Sequence, residues 1–134
     1  MTENKMITYF DQLGKLFYAI AAVDKKIKAE EIEALNELIE DYWADCDPVE
    51  GFNVRDPAYQ IITMFEALQT QKKESEPMFS EFEDFYKSNM DLFTKNIKYT
   101  IILTANAIAE AVNKKNKAEL GLLTKLKLLF NQNQ

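Results

Sequence analysis

Histidine is absent from the 134 residues of this chain. Its absence excludes imidazole metal ligands, histidine general bases, and the Ser-His and Cys-His pairs that activate nucleophiles. Cysteine occurs once, as Cys46, so an intrachain disulfide and a cysteine-cluster metal site are both excluded. A lone thiol fits a reducing compartment. Its neighbours Asp45 and Asp47 disfavour the thiolate that a nucleophile needs. Glycine and proline number three each, which leaves most of the chain free to be regular. The first ten residues, MTENKMITYF, have no basic stretch running into an apolar one, so no signal peptide is expected. The most apolar segment, Tyr99–Val112, is too short to cross a bilayer and carries Asn106 and Glu110, so stable membrane insertion is not expected. A cytoplasmic protein is expected.

What remains is apolar and acidic. Apolar residues make up 47% of the chain and aromatics 12%, enough for one domain spanning residues 1–134 to bury a core. The net charge of −6 disfavours nucleic acid as a partner. From Asn113 onward there are five lysines and one acid, so the rest of the chain carries about ten net negative charges.

Apolar spacing is helical throughout, and no window alternates with period two. Ile7, Phe10, Leu13, Phe17, Ile20 and Ala21 mark one face of a first helix; Ile32, Leu35, Leu38, Ile39 and Tyr42 mark a second. Asp45–Asp56 is a loop. Asp56-Pro57 reads as an N-cap followed by proline at the first helical position, opening a third helix with Ala58, Ile61, Ile62, Phe65 and Leu68. After the polar break QTQKKESEP, Pro77 is expected to open a fourth, lined by Phe79, Phe82, Phe85 and Tyr86. A fifth, through Phe93, Ile97, Ile101, Thr104, Ile108 and Ala111, is apolar on several sides and is expected to be central. Leu120, Leu122, Leu123, Leu126, Leu129 and Phe130 mark a sixth. The expected fold is all-α, a compact bundle of about six helices.

The chain also matches itself. AVDKKIKAEE (Ala22–Glu31) aligns with AVNKKNKAEL (Ala111–Leu120) at seven of ten positions, and each copy joins an alanine-rich helix to an amphipathic one. Two related helix–loop–helix units are therefore expected. The stretch AIAAVDKKIKAEEIEAL resembles the signature of TerB-like (tellurite resistance protein B) domains, with Asp24, Ile27 and Glu31 at that pattern's Asp, apolar and Glu positions. AIAEAVNKKNKAEL is similar to the family's second helix–loop–helix, with Asn113 where Asp is usual. The resemblance implies a helical module linked to stress responses, with divalent metal bound through acidic residues and no settled enzymatic activity. Lys25 stands where glycine is usual, and Asn113 and Asn116 make the second loop less acidic.

Asp24, Glu30 and Glu31 are the candidate metal ligands, and Ca²⁺ or Mg²⁺ is the cation their oxygens would suit. The competing reading makes Glu30 and Glu31 first-turn acids that favour the helix dipole and cap its N–H groups, with Ile27 as an apolar plug. Asp41, Asp45, Asp47, Glu50 and Asp56 are either a second cation cluster or a solvated acidic face. Arg55, the only arginine, either grips an anionic ligand or pairs with Asp47 or Asp56. The aromatic face of helix four either lines an apolar cavity or is core. LGLLTKLKLLF either docks on a membrane or partner, or is a buried helix with Lys125 and Lys127 reaching outward. Glu81 and Asp84 carry no mark of paired acid–base roles. The expectation is a non-enzymatic TerB-like binding module, linked to a stress or metal response, with a weak divalent-cation site and a protein partner. A scaffold and a carrier of a small apolar ligand or lipid are the alternatives.

Overall fold

The computed structural model describes residues 3–23, 27–44, 57–113 and 117–131. They form α1 (Glu3–Ala21), α2 (Ala29–Trp43), α3 (Pro57–Gln71), α4 (Ser75–Ser88), α5 (Lys95–Asn113) and α6 (Lys117–Asn131), with a 3₁₀ turn at Met90–Leu92 before α5. Among the described residues there is no strand. The fold is all-α, as the spacing requires. Among the described residues no helix is long and apolar enough to cross a membrane.

Two layers of three helices result. In one, α1 lies between α3 and α4; in the other, α5 lies between α2 and α6. The layers meet where α1 crosses α5 and where α2 packs on α3. The hub is α1 rather than α5, because α1 is apolar nearly all round at its C-terminal end: Leu16 through Ala22 are buried without interruption. That girdle lets one helix face α3, α4, α5 and α6 together. The two helix–loop–helix units are not packed alike. α5 and α6 lie side by side, whereas the backbones of α1 and α2 stay apart, bridged by the Phe17 and Trp43 rings at 6.0 Å.

Several boundaries and faces differ from their sequence expectations. α4 opens at Ser75, so Pro77 sits in the first turn, where its missing N–H still leaves no intrahelical bond unmade. Phe93 precedes α5 instead of lying in it, and Thr94 caps that helix, its hydroxyl accepting the Ile97 N–H at 3.2 Å. Phe93 is the centre of an aromatic cluster, 5.0 Å from Tyr9 and from Tyr86 and 5.9 Å from Phe82. Phe130 of α6 closes it against Tyr86 at 5.1 Å. The aromatic face of α4 is thus filled by other rings, which makes it core and not a ligand cavity. In α2 the deeply buried ring is Trp43, while Tyr42 is 38% exposed.

Asp11, on α1, is half-buried, and burial raises its carboxyl pKa, only partly offset by the Lys15 charge. The folded state therefore holds this proton to higher pH than the unfolded chain, and stability falls as pH rises through that window. Asp11→Asn is expected to raise the melting temperature at pH 7 but not at about pH 3, where the carboxyl is protonated in both states. Thermal melts at the two pH values decide it; an equal gain at both would remove the burial explanation.

Candidate functional site

Asp24 and the acidic loop Asp45–Asp56, with Arg55 and Cys46, lie outside the described residues. Of the proposed metal ligands, Glu30 and Glu31 are placed. Glu31 Oε1 accepts the Lys28 backbone N–H at 2.8 Å, and the Glu31 N–H returns to the Lys28 carbonyl at 2.9 Å. This is the carboxylate arm of a capping box, so Glu31 has the helix-capping role of the competing reading. Glu30 is exposed in the same first turn. Among the described residues no three acids converge as a metal site would require. Glu81 is bound to Lys15 at 2.9 Å, and Asp84 is exposed on the same helix.

What the fold does build beside the first helix–loop–helix is a groove of about 840 Å³. It is assembled from the end of α1, the α3–α4 turn and α6. Tyr18, Ala22, Val23, Ile27 and Leu122 supply its apolar floor. Ile27, the expected plug, is 5% exposed and does pack into the core. Lys72, Lys73 and Lys125 stand around the mouth with Glu74 and Glu76. The Lys125 ammonium lies 5.2 Å from the centre of the Phe79 ring.

The wall is held in place from α1. The Tyr18 hydroxyl donates to the Lys73 carbonyl at 2.6 Å, and the Ser75 hydroxyl donates to the Ala19 carbonyl at 2.5 Å. Burial raises the Tyr18 pKa, keeping that hydroxyl a donor. α3 ends in a Schellman motif: Lys73 N–H reaches the Leu68 carbonyl and Lys72 N–H the Gln69 carbonyl. The residue at its left-handed position is Lys72, with φ of 54°. Glycine would adopt that conformation without a Cβ clash, whereas lysine is strained there.

The polar break QTQKKESEP showed a turn but not this mouth, because without a glycine nothing in the string marks a left-handed cap. Comparison of the chain with protein-family models, with curated proteins and with solved structures finds no match.

Proposed function

We propose that the protein is a non-enzymatic, TerB-like binding module of the cytoplasm that holds a small amphiphile, an apolar chain ending in a carboxylate or phosphate, in the groove between α1, the α3–α4 turn and α6. The observation that carries this reading is the pairing of an apolar floor with three lysines at the mouth, one of them in a strained backbone conformation. Binding pockets join apolar walls to a few placed polar groups in this way, and the volume suits a ligand of modest size. Strain at such a position is retained where its side chain is needed. Glu74 and Glu76 at the same mouth limit the head group to one that the lysines can reach.

The experiment is a calorimetric titration with dodecanoate and dodecyl phosphate, beside native mass spectrometry of the purified chain. Saturable one-to-one binding is expected, lost in Val23→Glu, which sets a charge in the floor. Lys72→Gly is expected to stabilise the fold by about 1 kcal/mol, by releasing the left-handed strain, while weakening ligand binding. Absence of saturable heat with both amphiphiles would overturn the proposal, as would full binding by Val23→Glu.

A further inference from the structure

The α5–α6 pair has a second groove, of about 630 Å³, on the layer opposite α1. Lys95, Lys98 and Lys127 border it, and Tyr99, Ile102 and Phe130 supply its apolar surface. Tyr99 is 66% exposed, a large ring left in water. Among the described residues no acid lines this groove, and none of the three lysines has an ion pair. Lys98 is held over the Tyr86 and Phe130 rings at 5.6 and 5.8 Å. The N-terminal end of α5, where Lys95 sits, adds the positive pole of the helix.

The converse surface lies on α2. Its outward residues include Glu30, Glu33, Glu37, Glu40 and Asp41, all exposed, and the helix contains no basic residue. Glu33, Glu37 and Asp41 follow one another at four-residue spacing, where like charges repel along a helix. Ala34 keeps the middle of that face low, and half-buried Leu38 and exposed Tyr42 flank it. An acidic helix with an apolar flank is thus matched in charge and character by a lysine-rimmed apolar groove. Within one molecule no ion pair joins the two among the described residues.

We infer that the α5–α6 groove receives α2 of a second copy of this chain, in a head-to-tail contact. Two different patches meet, so the contact is heterologous and extends to a ring or an open chain instead of ending at a two-fold dimer. Each copy carries a net charge of −6, and this repulsion acts over longer range than the local pairs. Association is therefore strongest near 0.1 M salt, where screening over about 10 Å mutes the net charge, and fades towards 1 M, where it reaches about 3 Å. This inference does not rest on the amphiphile groove.

Sedimentation velocity of the full chain over a wide concentration range, at low, intermediate and high salt, tests it. Concentration-dependent association is expected, weakened about tenfold or more by Lys95→Glu with Lys127→Glu, and equally by Glu33→Lys with Glu37→Lys. All four positions are exposed, and Lys98 is left intact so that its ring contacts survive; thermal melts matching the parent confirm folding. Mixing the two reversed variants is expected to restore association, since each then offers the other complementary faces. A chain that stays monomeric at every concentration and salt overturns the inference. So does association that ignores both reversals, or reversed variants that fail to rescue one another.

Discussion

Trp43→Ala is expected to cost about 3–5 kcal/mol, the range for truncating a large buried aromatic. Trp43 is fully buried at the end of α2. Its indole N–H donates to the Thr104 hydroxyl at 2.9 Å, and that hydroxyl donates onward to the Thr100 carbonyl at 2.7 Å. Thr104 is the buried polar residue of the described core, and both ends of its hydroxyl are used. The pair ties α2 to α5, while the Phe17 ring ties the same indole to α1. A loss of this size takes a large share of the about 5–15 kcal/mol by which domains are stable. Thr104→Val separates hydrogen bonding from packing: it keeps the shape and orphans the indole N–H, at about 1–3 kcal/mol. Trp43→Phe with Thr104→Val should then cost less than the two single changes together, because Trp43→Phe removes the donor that Thr104→Val leaves unpaired. Urea unfolding of the four proteins measures this, and strict additivity would show that the bond contributes nothing specific.

The Trp43 case also shows where sequence reading reaches its limit. Helical spacing placed the six helices and most of their buried residues, because an apolar stripe is local, but it passed over buried residues off the stripe such as Met6, Tyr9, Ala105 and Ala109. It aimed the end of α2 through Tyr42, yet one residue further along turns the face by about 100° and brings Trp43 inward. A tyrosine and a tryptophan in succession look alike to periodicity; only Thr104, far along the chain, distinguishes them by accepting the indole N–H. The hub was misplaced for a similar reason. Leu16, Tyr18 and Ala19 lie off the stripe of Phe10, Leu13, Phe17 and Ile20, so periodicity gives them no weight, although together they make that end apolar all round. The capping role of Glu31 was legible from its place in the first turn of α2. The groove between α1, the α3–α4 turn and α6 was not, because Tyr18, Lys72 and Leu122 come from three elements and meet only in the fold. Nor does a string of lysines disclose that those on α5 and α6 border one groove while the acids gather on α2.

Gly14→Ala is the second large effect, and its sign is opposite to what helix propensity alone predicts. Glycine inside a helix costs about 1 kcal/mol relative to alanine, so the exchange would stabilise an exposed site. At Gly14, however, an added Cβ would lie 2.8 Å from Met64 Cβ and 2.9 Å from the Ile61 carbonyl oxygen. The Ile61 oxygen belongs to the backbone of α3 and the Met64 Cβ is fixed to it, so neither can swing away as a side-chain tip would. Relief requires α1 and α3 to separate, and this contact anchors one whole layer of the fold. Overpacking of this kind costs about 1–3 kcal/mol, which exceeds the propensity gain. Gly14→Leu, with more atoms to place, should leave little folded protein. Gly121, in α6, provides the control, since no described atom lies within 4 Å of its added Cβ. Gly121→Ala should therefore stabilise by up to about 1 kcal/mol. Melting curves for the two alanine variants should move in opposite directions from the parent. If both rise, α1 and α3 can part at little cost, and the close approach at Gly14 is not what sets their spacing.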